Sequence, residues 1–138
     1  MTSDPLGRIL TEVRDDPAVA AITDRVRGGE PAPGDAIGPP YQPFVLLTRY
    51  GATRLRRAPV QEVMVLAKCY ERTPRLAAIL AGAVADAAHA RGHRVTPSGV
   101  VIFGSFVASQ GAASFDIDTH QPYEPVLISV GALTVPIA

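Results

Sequence analysis

The chain has 138 residues, 47% of them apolar, with 13 basic and 13 acidic residues and a formal net charge of zero. That length fits one domain, residues 1–138, and the apolar content excludes global disorder. A neutral chain has no global field to recruit nucleic acid or an anionic membrane, and it has little charge repulsion to hold copies apart.

The sequence has no Trp and a single cysteine, Cys69. An intramolecular disulfide and a cysteine metal cluster are therefore excluded. Cys69 sits in an apolar alternating run and reads as a buried strand thiol. Ala and Val dominate the apolar content, so Phe44, Phe103, Phe106, Phe115 and four tyrosines must supply the bulk. Thin cores of this kind often lean on a neighbouring subunit. The opening Met1-Thr2-Ser3-Asp4-Pro5 lacks the charged and apolar regions of a signal peptide. No apolar run approaches the ~18 residues of a membrane span. The expectation is a protein that stays in the cytoplasm where it is made.

Asp4-Pro5 opens the first helix, with Asp as cap and Pro in the first turn. Leu6, Ile9, Leu10 and Val13 make its apolar stripe. Asp15-Asp16-Pro17 breaks it. A second short helix is expected to carry Val19, Ala20, Ile22 and Val26 before Gly28-Gly29 stops it. From Gly28 to Pro43 the chain is rich in Gly and Pro and reads as an irregular surface segment.

Strand one is expected over Phe44–Tyr50 and strand two over Val60–Glu71. Val63, Val65, Ala67 and Cys69 share one face of strand two, and Met64, Leu66 and Tyr70 the other. The link Gly51–Pro59 reads as a long hairpin loop. Its Arg54, Arg56 and Arg57, with Arg49 just before, form the most basic local segment.

Thr73-Pro74 is the strongest helix start in the chain. The stripe Leu76, Ile79, Leu80, Ala83, Val84 and Ala87 holds helical spacing, and Arg91-Gly92 is the expected end. This stripe is expected to pack against Val63, Val65, Val101 and Ile128. Strand three follows over Val100–Ser109, then a turn, then an irregular or edge segment over Phe115–Tyr123. Strand four covers Val126–Val135, with Pro125 at its start and Pro136 at its end, where prolines are tolerated. The order α-α-β-β-α-β-β predicts an α+β fold. It has a mainly antiparallel sheet of about four strands, one long helix packed on it and short N-terminal helices.

Asp116-x-Asp118-x-His120 is the only cluster with ligand-like spacing. In an extended segment the three side chains would share a face and could converge on a cation. The glycine and distal glutamate of a calcium loop are missing, and the competing reading is an Asx turn that caps backbone amides. His89 and His93 are four apart but lack the adjacent Glu of a zinc helix, and they read as solvated residues near a helix end. There is no nucleophile elbow and no phosphate-cradling glycine loop. No catalytic residue, cofactor site or metal site is nominated.

Several pieces occur together in order. They are Asp16-Pro17-Ala18-Val19, the approach Pro39-Pro40-Tyr41-Gln42-Pro43-Phe44-Val45, and Cys69-Tyr70. Thr73-Pro74 with an Ala-rich helix comes next, then Asp116-Ile117-Asp118-Thr119 followed by Pro122-Tyr123. In this order and texture the chain resembles the tail terminator (minor tail, tail completion) proteins of long-tailed bacteriophages, over about Leu6 to Val135. One departure is Gln121-Pro122, where many such proteins carry an aromatic-Pro pair.

The resemblance implies a structural virion protein and no enzyme. Such proteins form a ring, expected to be a hexamer, on the head-proximal end of the tail tube. They stop tube polymerisation and present the head-joining surface. Implied partners are further copies of the chain, the tail tube protein and the head–tail connector, with DNA passing the lumen without specific binding. Arg54, Arg56, Arg57, Asp116 and Asp118 are the expected subunit or partner contacts. Three alternatives remain open: a head–tail connector or stopper of the neck, a small α+β metal-dependent enzyme using Asp116, Asp118 and His120, and a cellular adaptor or small-molecule binding domain.

Overall fold

The computed structural model describes residues 5–29, 41–54, 60–89, 94–95 and 101–133, with side chains for 6–29, 41–50, 62–89 and 107–131. The class is α+β, as the element order predicts, with more strands than the sequence pattern suggests. Helix α1 spans Pro5–Asp15 and α2 spans Pro17–Ala20. Strand β1 is Val26–Gly28, β2 is Phe44–Arg54 and β3 is Val60–Tyr70. The long helix α3 is Pro74–Ala88. It is followed by β4 Arg94–Val95, β5 Val101–Gln110, β6 Ser114–Phe115 and β7 Pro122–Leu133.

The strands form one seven-stranded sheet in the order β1-β2-β3-β7-β5-β4, with β6 paired to β7. Only β1 and β2 run parallel. β3 pairs with β7 along its whole length, from Val60 opposite Leu133 to Tyr70 opposite Tyr123. β6 therefore lies on the β5 side of β7. It resumes the pairing that β5 leaves at Gln110, so β5 and β6 act as one interrupted strand.

Period-two alternation sets which side is buried. Val63, Val65, Ala67 and Cys69 of β3 are all buried, as are Val126, Ile128 and Val130 of β7 and Val45 and Leu47 of β2. The three helices cover this face. Ile9 and Val13 of α1 are fully buried, with Leu6 and Leu10 packed at the edge of the same core.

Helix α3 begins as its sequence predicts. The Thr73 hydroxyl accepts from Leu76 N at 3.2 Å, and Pro74 opens the first turn. Its buried side is Ala77, Leu80, Ala81, Val84, Ala85, Ala87 and Ala88. Ile79, expected in the stripe, is 52% exposed, and Leu76 and Ala83 are half-buried. An Ala-rich helix carries little phase information, and close approach to the sheet selects its smallest side chains. Val101, also an expected sheet contact, has no described side chain. The helix ends at Ala88 with His89 as its C-cap; the expected end at Arg91-Gly92 lies outside the described residues.

The second helix is shorter than its pattern. Asp16 Oδ1 caps Ala18 N and Val19 N, but Ile22 N and Thr23 N both turn back to the Val19 carbonyl. Val45 N then donates to the Arg25 carbonyl, drawing Val26 into a strand. Tertiary pairing overrides local helical spacing here. Gly29, at φ +79°, closes β1 in a conformation that favours glycine.

Two further boundaries move. β2 runs on to Arg54, carried past a bulge between Arg49 and Gly51, so the expected loop is strand over residues 51–54. β7 starts at Pro122, which places Pro125 inside a central strand. Pro125 is tolerated because its carbonyl side faces Gly111, whose N–H it accepts at 2.9 Å. The missing N–H points to that same side, at the β5 end, and leaves the β3 ladder intact. Gly111 is required there: a Cβ would lie 2.6 Å from Pro125 Cγ.

Leu80→Ala should cost about 2–5 kcal/mol, because Leu80 is fully buried between α3 and the sheet. Ile79→Ala, one residue away, should stay within about 0.5 kcal/mol. Chemical denaturation of the two variants checks this, and equal losses would place the helix in a different rotation.

Candidate partner-binding surface

The face of the sheet turned away from the helices is built differently at its two ends. At one end Phe44, Tyr70 and Tyr123 form an aromatic row across β2, β3 and β7. The Phe44 and Tyr70 rings stack with centroids 4.4 Å apart, and Tyr123 tilts against Tyr70 at 5.1 Å. The Lys68 ammonium lies 5.3 Å from the Tyr123 ring centre, within cation–π range. Phe44 and Tyr70 are almost wholly buried although no helix covers them.

Their cover is the loop between β6 and β7. Asp116 organises it. Asp116 Oδ1 accepts from Asp118 N at 2.9 Å and Thr119 N at 3.1 Å, and its carbonyl accepts from His120 N at 2.9 Å. The Tyr70 hydroxyl donates to Asp116 Oδ2 at 3.4 Å, tying the loop to the aromatic row. Desolvation pushes the Asp116 pKa up. The N–H bonds from Thr119 and Asp118, with the hydroxyls of Thr119 and Tyr70, outweigh it and hold the carboxyl below its ordinary value. Burial, then the charge of Asp116, pushes the Tyr70 phenol well up.

The segment before β2 pins the loop from the other side. The Tyr41 hydroxyl donates to the Thr119 carbonyl at 2.8 Å. Gln121 is fully buried, and its Nε2 donates to the Gln42 carbonyl at 2.8 Å. Thr23 Oγ1 in turn donates to the Pro43 carbonyl at 2.9 Å. His120 adopts φ +60°, the left-handed turn position that reverses the chain before Gln121.

This geometry answers the ligand-like spacing of Asp116, Asp118 and His120. Asp116 is an Asx-turn cap: one carboxylate oxygen holds two backbone amides and the other meets Tyr70. Asp118 and His120 are exposed. Among the described residues no group of three His, Cys, Asp or Glu side chains is placed to hold a metal ion. His89 is used otherwise. Its Nδ1 accepts from Val107 N at 3.1 Å, joining the end of α3 to β5. His93 lies outside the described residues.

A loop held this firmly displays what it does not use. Ile117 is 91% exposed and Phe115 59% exposed, side by side with exposed Asp118. Sequence reasoning singled out the two aspartates, counted Phe115 as core bulk and passed over Ile117; Phe115 is instead exposed on the loop. The signal was the alternation Phe115-Asp116-Ile117-Asp118, in which the acid that holds the turn forces the apolar residues outward.

Farther along the same sheet face lies a shallow depression of about 280 Å³, lined by Tyr50, Leu66, Ser109, Gly111, Pro125 and Leu127. Tyr50 is 68% exposed and sits in the β2 bulge. Arg49 beside it is exposed. Arg54 ends β2 without a described side chain, and Arg56 and Arg57 lie outside the described residues.

Asp116→Ala should destabilise the protein by about 1–2 kcal/mol near neutral pH, through loss of charged hydrogen bonds. The folded pKa lies below the unfolded one, so the ionised group adds stability above about pH 4 that is lost as pH falls through the folded value. The gap between parent and variant should narrow on acidification, measured by urea unfolding from pH 7 to pH 2. A gap independent of pH would mean that the Asp116 charge has no part in holding the loop.

No family model and no curated protein matches this sequence. Among solved structures the chain is similar to one described as "Virion of native gene transfer agent (GTA) particle". The TM-score is 0.70 with 13% sequence identity, and the alignment covers 90% of this chain and 90% of that chain. At that identity the likeness shows a shared fold across nearly the whole length of both chains.

Proposed function

We propose that this protein is a structural component of a phage-like virion, and within it a tail terminator. The observation that carries this reading is the fold shared with a virion chain over 90% of both lengths. The order of sequence pieces that resembles tail terminators supports the finer assignment. The described surface also suits a structural role. Its side chains are displayed on a braced loop and a shallow sheet face, and Asp116, the most chemically distinctive carboxylate, is occupied in a turn.

In this reading copies of the chain close into a ring, expected to be hexameric, on the head-proximal end of the tail tube. Each copy joins the next through unlike surfaces, and closure uses up both. The ring outcompetes a further tube subunit for the growing end and offers a new surface to the head–tail connector. DNA passes through the lumen without specific contacts, and no reaction is catalysed. The protein is made in the host cytoplasm and ends in the virion. Arg54, Arg56 and Arg57 contact a neighbouring copy or the tube end, since three guanidinium groups without partners cannot be buried.

Light scattering over a range of concentrations, with images of assembled tails, tests the ring. A closed oligomer, free or seated at the tail end, is expected; a strict monomer in both settings overturns the reading. A ring found within the neck, away from the tube end, would favour a connector or stopper instead.

Replacing Arg54, Arg56 and Arg57 together with Ala should leave circular dichroism unchanged but give tails of wrong length or tails that fail to join heads. Tails of native length that still join heads would remove these arginines from the contact.

A further inference from the structure

We infer that helix α3 pairs with α3 of a second copy, antiparallel across a two-fold axis, through the stripe Arg75, Ile79, Gly82 and Asp86. This goes beyond the ring reading and does not rest on it, since ring closure joins unlike surfaces and this contact uses one surface twice. The stripe lies on the side of α3 turned away from the sheet. Arg75 and Asp86 are exposed, and Ile79 is 52% exposed. Spacings of four, three and four place these residues in one narrow line along the helix.

Two features of this stripe gain nothing within one chain. Gly82 stands in mid-helix, where glycine is less favourable than any residue but proline. A Cβ there would meet nothing within 4 Å, so alanine would fit the folded chain. Glycine at an open helix surface admits the close approach of another molecule. The second feature is charge. Arg75 lies in the first turn and Asp86 in the last, each at the helix end whose dipole opposes it.

Symmetry and charge select the occupant. Positions 75 and 86 share their midpoint with 79 and 82. An antiparallel pair centred there sets Ile79 of each copy over Gly82 of the other, a side chain into a place without one. It also sets each Arg75 beside Asp86 of the other copy. Each charge thereby moves next to a helix end that favours it, Arg75 to a C-terminus and Asp86 to an N-terminus. A parallel pair would face arginine with arginine and aspartate with aspartate. The seam leaves the outer sheet face and the 115–118 loop uncovered for other contacts. A single helix seam is a small interface, so the pairing is weak and depends on concentration.

The test is sedimentation velocity of the parent and of Gly82→Gln, Arg75→Asp and Asp86→Arg over a range of concentrations. The parent is expected to show a dimer that grows with concentration. Gly82→Gln should raise thermal stability, because glutamine favours a helix, yet weaken dimerisation about tenfold by filling the place that Ile79 needs. Arg75→Asp and Asp86→Arg should each hold or raise thermal stability, because each suits its helix end. Each should lose dimerisation by setting like charges together. Mixing Arg75→Asp chains with Asp86→Arg chains should restore it, because acid then faces base at both positions. A parent that stays monomeric at every concentration, or a mixture that fails to recover dimerisation, overturns the pairing. Self-association unchanged in all three variants also overturns it and leaves the ring standing.

Discussion

The structure depends on a sheet whose two faces are treated unequally. β7 is paired along both sides, by β3 on one and by β5 with β6 on the other. Its alternate residues Val126, Ile128 and Val130 are buried beneath the helices together with Val63, Val65 and Ala67 of β3. With a period of two, every second residue of the same strands must point to the other face. Tyr123, Pro125, Leu127, Met64 and Leu66 point there, and none is fully buried. A chain with one long helix and two short ones covers only one side of so wide a sheet. The other side has no helix over it among the described residues, and at its aromatic end loops cover it instead.

The two ends of that outer face show both outcomes. At the aromatic end the β6–β7 loop and residues 41–43 fold over Phe44, Tyr70 and Tyr123. The polar bonds of Tyr41, Gln42, Asp116 and Gln121 make the cover rigid. Toward Tyr50 and Leu66 among the described residues, the face forms only a shallow depression. The loop that closes one end thereby carries Phe115 and Ile117 into solvent. Local stability and the exposure of an apolar side chain come from the same hydrogen bonds: the turn that shields the aromatic row is the turn that exposes Ile117.

Proteins that act by assembling need surfaces that are ordered before they meet their partners, because ordering them afterwards weakens binding. Among the described residues, the half-covered part of the sheet is the outer face where Leu66, Pro125 and Leu127 line a shallow depression. A net charge of zero leaves little long-range repulsion between copies of the chain.

The sequence by itself determined the local decisions. Thr73-Pro74 set the start of α3, and Asp16-Pro17 set the break between the first helices. The alternation in Val63–Cys69 set which side of β3 is buried, and the turn preference of Asp116 against metal binding was open to weighing. These rest on caps, prolines and period-two patterning, which act within a few residues. What only the tertiary structure decided depends on partners distant in the chain. Val26 became a strand because Val45, nineteen places on, supplied a ladder for it. Ile79 turned outward because the sheet selected the alanine face of a helix whose sequence hardly distinguishes its sides. Pro125 sits within a central strand because Gly111 meets its carbonyl where β5 ends. The displayed loop took its form from bonds between Tyr41 and Thr119, Gln42 and Gln121, and Tyr70 and Asp116. No spacing within the chain announces those pairings, because they form only when the sheet brings the segments together.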